Sequence, residues 1–173
     1  MKSRILYHGS SVIVKKPDLY AGNPIHDFGR AFYLTTNKLQ AVKWSRHKMH
    51  KDRVLDKIEP YKFLVSEFSF NENNLNKLRV KEFAKPDVDW LNYIIKSRSN
   101  LEFAMNNDYD LIIGPVIDGM RSWVTLELYS KKVISFEETI RRIKPENLKD
   151  QWAFKSKKAI DFLEYRGVID ETN

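Results

Sequence analysis

Short runs with strand character and longer runs with helical periodicity follow one another along this chain without strict alternation. That order most constrains what it can fold into. Arg4-Ile5-Leu6-Tyr7 reads as a strand running into a turn at His8-Gly9-Ser10-Ser11. The stretch from Lys16 to Gly29 carries Pro17, Gly22, Pro24 and Gly29 and reads as a long irregular loop, of a length usually tied to function or mobility. Ala31 to Thr35 emerges from it as a second strand. Tyr61 to Phe70 reads as a third, Asp110 to Ile117 as a buried strand interrupted by Gly-Pro, and Gln151 to Phe154 as the last. Helices fill the intervals. Thr36 or Asn37 caps one with Leu39, Val42 and Met49 on its apolar side, and Asp87 caps another through Leu91, Ile94 and Ile95. Met120 to Tyr129 is a third, and Ser135-Phe136-Glu137-Glu138 opens a fourth that runs to Ile143. Ser156 caps a fifth that ends near Arg166-Gly167. A regular strand-helix alternation would dictate a parallel sheet; this mixture predicts an α+β fold.

With 173 residues, 42% hydrophobic and 31% charged, the chain suits one compact domain over residues 1–173. No cysteine is present, which excludes disulfides, thiolate metal sites and a cysteine nucleophile. Only Ile5 to Tyr7 is apolar near the basic start, too short for a signal-peptide core, and no apolar run approaches the ~20 residues that span a bilayer. A cytoplasmic protein with no membrane partner is expected. The net charge of +7 is concentrated. Residues 38–53 hold six basic side chains against one acidic, and 131–158 hold nine against four. Lys43, Arg46, His47, His50 and Lys51 fall on one helical face, which attracts an anionic partner or simply faces solvent.

Three stretches carry the chemistry: Leu6-Tyr7-His8-Gly9-Ser10, then Asp27-Phe28-Gly29-Arg30-Ala31-Phe32-Tyr33-Leu34-Thr35, then Gln40-Ala41. With Asp87 to Leu91, Asp110 to Val116 and Gln151 to Leu163, their order and spacing resemble a bacterial domain-of-unknown-function family, number three-nine-nine-zero. Its members are ADP-ribosyltransferase-like and often encoded in toxin–antitoxin loci. The resemblance implies an ADP-ribosyltransferase-like split β-sheet core with flanking helices. It implies a mono-ADP-ribosyltransferase toxin that cleaves the nicotinamide–ribose bond of NAD⁺ and passes ADP-ribose to a macromolecule, protein favoured over nucleic acid. An antitoxin protein is then expected as a partner. NAD⁺ is the co-substrate and no metal is needed.

The resemblance also assigns residues. His8 bonds a ribose hydroxyl, Gly9 pairs through its backbone with the nicotinamide carboxamide, and Ser10 adds a hydroxyl bond to the ribose. Tyr33 stacks on the nicotinamide, offering a π-face to the cationic pyridinium. Phe28 and Arg30, with Asp27, shape the pocket, Arg30 through the pyrophosphate. Gln151 stands where the best-known transferases of this type carry a glutamate. Its amide bonds a ribose hydroxyl but supplies no negative charge and cannot act as a general base. The catalytic set is thus His8, Tyr33 and Gln151. The neutral amide keeps a second class open, an NAD⁺ or nucleotide binding module without transfer, or an NAD⁺ glycohydrolase. Ala31, where relatives carry glycine, adds one methyl.

Other pairs carry less. His47 and His50 lack a third ligand nearby. Glu137 and Glu138 complement a helix dipole, and Asp108 and Asp110 flank a strand entrance. No G-x-S-x-G, Walker A, G-x-G-x-x-G or H-E-x-x-H string occurs, which leaves hydrolase-elbow, kinase, Rossmann and zincin chemistry without support.

Overall fold

In the computed structural model, residues 2–54, 64–106, 108–117, 120–143 and 149–170 are described. They form a mixed α+β fold with two small sheets. The first sheet orders β1 (Ser3–Ser10), β3 (Leu64–Asn71) and β7 (Leu163–Asp170), all antiparallel. The second orders β2 (Phe32–Leu34), β6 (Asp150–Phe154), β5 (Leu111–Pro115) and β4 (Val80–Glu82), with only β4 and β5 parallel. Tyr7 and Thr35 exchange two backbone hydrogen bonds, 2.8 and 3.0 Å, and so join the sheets where β1 passes β2.

Alternation along the strands builds the core. Leu6 from β1, Phe68 and Phe70 from β3, Phe32 and Leu34 from β2, and Trp152 and Phe154 from β6 meet as one buried cluster between the sheets. Phe70 is held edge-on by both Trp152 and Phe154. The opposite face of the second sheet presents Ile112 and Ala153. They pack with Phe28, Phe83 and three residues of α2 (Val88–Ser99): Trp90, Leu91 and Ile94. Asp87 caps α2 as expected, accepting from Trp90 N at 2.9 Å. Short α3 (Leu101–Met105) follows, then α4 (Met120–Ser130) and α5 (Phe136–Ile143).

On the outer face of the first sheet lies α1 (Lys38–Val54), capped by Asn37, whose side chain accepts from Gln40 N at 2.9 Å. The apolar side expected here is rotated. Leu39 is 78% exposed, while Ala41, Val42 and Ser45 are buried. Small residues let the helix sit close: a Cβ at Gly9 would lie 1.9 Å from Ala41 O. Lys43, Arg46 and His47 do face solvent; the side chains of Met49, His50 and Lys51 lie outside the described residues.

Two further expectations fail. His8 to Ser10 are not a turn, because β1 keeps pairing with β3 through Ser10↔Leu64. The helix begun at Ser156 is only α6 (Lys157–Ile160), and the chain then forms β7 rather than continuing to Arg166. Gly167 marks a bulge in the β3–β7 ladder, where Arg166 is left unpaired, and is not a helix stop. Tyr61 to Phe63, expected in the third strand, lie outside the described residues. Among the described residues no helix is long and apolar enough to cross a membrane.

Candidate functional site

His8, Tyr33 and Gln151 come from β1, β2 and β6, and hydrogen bonds together with the backbone of residues 27–29 connect them. His8 stands half-buried, its ring 4.4 Å from that of Phe32. Its Nδ1 lies 2.8 Å from Tyr33 O. A carbonyl only accepts, so Nδ1 carries the proton. Burial lowers the pKa of the ring, and the bond to Tyr33 O offsets this only in part. The neutral ring therefore offers Nε2 as a hydrogen-bond acceptor.

Tyr33 OH donates to Gly29 O at 2.6 Å and accepts from Phe28 N at 3.1 Å. Burial, then the nearby Asp27 charge, raises its pKa well above the ordinary phenol value. It is a neutral phenol that fixes the loop before β2, and no base. Its ring meets His26 edge-on at 5.4 Å.

Asp27, one residue before that peptide, is 4% exposed. Its Oδ1 pairs with Arg98 of α2, through Nε at 2.8 Å and through Nη2. Its Oδ2 accepts from Gln151 Nε2 at 2.9 Å and Ile117 N at 3.3 Å. Gln151, 2% exposed, gives a second Nε2 contact of 3.3 Å to Pro115 O. Pro115 O also takes Trp90 Nε1 at 3.0 Å. Buried polar groups need such partners, and here Arg98, Ile117 and Pro115 supply them to one carboxylate and one amide that also bond each other.

The loop 27–30 is pinned from two sides. Gly29 has φ +78, and a Cβ there would meet Ala104 O at 2.2 Å, so glycine alone fits. Arg30 N bonds the same Ala104 O at 2.7 Å. Directly after β6, the buried Lys155 Nζ donates to Phe28 O at 2.6 Å and Arg30 O at 3.1 Å. Burial, with the Arg30 cation adding to it, brings the Lys155 pKa down to about 8.

The remaining expected residues fall differently. Phe28 is wholly buried among Phe83 and Tyr93 and presents no ring surface to a ligand. Arg30 lays its guanidinium 5.0 Å over the exposed Tyr20 ring. Its Nε is buried without a hydrogen-bond partner among the described residues. Gly9 turns its bare side to α1, so packing already requires glycine there. Ser10 is buried, its Oγ accepting from Val12 N at 3.4 Å and its carbonyl from Ser45 Oγ at 2.7 Å. Asp150 faces away from Gln151's partners, accepting from Thr35 Oγ1, Thr36 N and Trp152 Nε1. Among the described residues no group of three or more His, Asp or Glu side chains could hold a metal ion.

Arg98 and Lys155 were not singled out from the sequence. Arg98, in the last turn of α2, reads there as a charge complementing the helix dipole. Lys155 follows the apolar Trp152-Ala153-Phe154, and a lysine directly after a buried strand is the one available hint. A separate surface groove of about 610 Å³, lined by Asn92, Ile95, Tyr129, Val133 and Ile134, shares no residue with this cluster.

The arrangement defines an α+β domain with a polar cluster, built on β1, β2 and β6, that lacks an obvious general base. The chain belongs to the family described as Protein of unknown function (DUF3990), which it matches over residues 4–165. No curated protein matches it.

Proposed function

We propose that this protein is an NAD⁺-dependent mono-ADP-ribosyltransferase with an ADP-ribosyltransferase-like core, acting in the bacterial cytoplasm as the toxin of a toxin–antitoxin pair. The observation that carries this reading is the link from His8 through Tyr33 to Phe28 N and Gly29 O, and along the backbone to Asp27, whose carboxylate holds Gln151. It links, from three strands, the positions to which the resemblance assigns such chemistry. Two small sheets that meet at Tyr7 and Thr35 support a split-sheet core. His8 Nε2 accepts a ribose hydroxyl. Tyr33 presents its ring to the pyridinium, and Arg30 meets the pyrophosphate. NAD⁺ supplies the leaving nicotinamide, so the protein's task is to hold the ribose while positive charge develops on it.

The neutral Gln151 favours a second reading, slow glycohydrolysis or nucleotide binding without transfer. Protein remains the favoured acceptor, with an antitoxin as the second partner. Incubating purified protein with labelled NAD⁺, with and without cell extract, separates these readings. Transfer predicts nicotinamide release that extract accelerates, and label that protease removes and nuclease leaves. Release without labelled macromolecule supports the glycohydrolase, and no release despite saturable binding supports the binding module.

A further inference from the structure

The side-chain amide of Gln151 has its orientation dictated by chemistry. Both neighbours of Nε2, Asp27 Oδ2 at 2.9 Å and Pro115 O at 3.3 Å, are acceptors, so the nitrogen must face them. Both amide N–H groups are thereby used. Among the described residues Oε1 accepts no hydrogen bond, in a side chain that is otherwise buried. Asp27 is itself saturated: Arg98 holds Oδ1, and Ile117 N and Gln151 hold Oδ2. It has no lone pair directed at a ligand, which excludes it as a general base.

We propose that Asp27 is a positioning residue that fixes Gln151 as a pure hydrogen-bond acceptor, so that the site selects ligands presenting a hydroxyl donor to Oε1. A glutamate would offer an acceptor unaided, because both its oxygens accept. A glutamine could present either end, and the Asp27–Arg98 pair removes that ambiguity. His8 Nε2 has the same polarity, since Nδ1 is committed to Tyr33 O. Two acceptors from two strands match a sugar with free hydroxyls and reject a group with no proton to give. The identity of that hydroxyl, the nicotinamide-ribose 2′-OH, rests on the NAD⁺ reading above.

The test uses carbocyclic NAD⁺, which keeps the hydroxyl but cannot be cleaved, and its 2′-fluoro counterpart, whose fluorine cannot donate. Binding of each is measured by calorimetry to wild-type protein and to Asp27→Asn. Wild type is expected to bind the fluoro compound roughly tenfold or more weakly. In Asp27→Asn the amide can turn, and the ratio should fall towards one. Equal binding of both compounds by wild type, or an unchanged ratio in Asp27→Asn, overturns the inference and leaves the NAD⁺ reading standing. No binding of either compound, or of NAD⁺, overturns that reading and the inference with it. A ligand-free measurement decides the matter if Asp27→Asn does not fold. The two Gln151 side-chain N–H protons, assigned by NMR through their loss in Gln151→Met, should be shifted apart and protected from solvent exchange. Rapidly exchanging, solvent-like resonances refute the lock.

Discussion

Restoring a glutamate at position 151 is the obvious way to strengthen a transferase, and the structure predicts that it fails at neutral pH. Gln151→Glu exchanges a donor for an acceptor 2.9 Å from Asp27 Oδ2. Two full charges at that separation repel by about 6 kcal/mol at an effective dielectric near 20. Holding the introduced glutamate protonated at pH 7 costs about 4 kcal/mol, from its ordinary pKa of about 4.3. Protonation is the cheaper outcome, and the acid then donates to Asp27. The folded pKa of the introduced group is therefore raised. Its contribution to stability is intact below about pH 4.3 and is lost as pH rises. The variant should be destabilised by about 4 kcal/mol at pH 7 and about 1 kcal/mol at pH 5. For a chain of this size that is a midpoint depressed by roughly 8–15 °C at pH 7. Thermal unfolding of variant and wild type, compared at each pH, measures it, with Gln151→Met as a control whose deficit is the same at both. A Gln151→Glu midpoint equal to wild type at pH 7, or a deficit that does not shrink in acid, refutes the reasoning.

Three further outcomes follow from the same geometry. Gly9→Ala places a methyl 1.9 Å from Ala41 O and should destabilise the fold by about 1–3 kcal/mol, read as a lowered urea midpoint; an unchanged midpoint would mean α1 is not seated as described. Lys155 has its pKa lowered to about 8, so the unfolded state holds more protons above that value. Wild-type stability should accordingly rise by about 3 kcal/mol between about pH 8 and 10.5, and Lys155→Met should remove that rise in pH-dependent urea titrations. Finally, His8→Ala and Tyr33→Ala should each lower NAD⁺ turnover by tenfold or more while the far-ultraviolet circular dichroism is kept; undiminished nicotinamide release in the double variant would remove both from the site.

What the sequence made legible is local. Asp87 and Asn37 cap helices because a short polar side chain before an apolar-periodic run has one dominant use, and β2 and β6 are apolar runs bounded by turn residues. The failures have physical causes. In β7, alternation breaks at the bulge, so Leu163-Glu164-Tyr165-Arg166-Gly167 resembles a helix end followed by its glycine stop. Leu39 was assigned inward by hydrophobicity, whereas close contact of α1 with Gly9 selects Ala41 and Ser45. In the candidate site, His8, Tyr33 and Gln151 could be named, but their connection could not. Asp27 lies 124 residues from Gln151 and 71 from Arg98, and no spacing rule reaches across such distances.

The pinning of residues 27–30 bears on how this chain tolerates change in length. Phe28 O and Arg30 O are tied to Lys155, Gly29 O to Tyr33 and Arg30 N to Ala104, so this short segment has no slack. The ordering cost of roughly 1–2 kcal/mol per residue is met when the chain folds, and a ligand meets a surface already set. Upstream, around Tyr20 and Ile25, the described side-chain bonds to the backbone are local turns at Asp18 and Asn23. An insertion near Gly22 should therefore pass unnoticed by the rest of the fold, whereas one added residue between Asp27 and Arg30 would separate the carboxylate from the glutamine it orients.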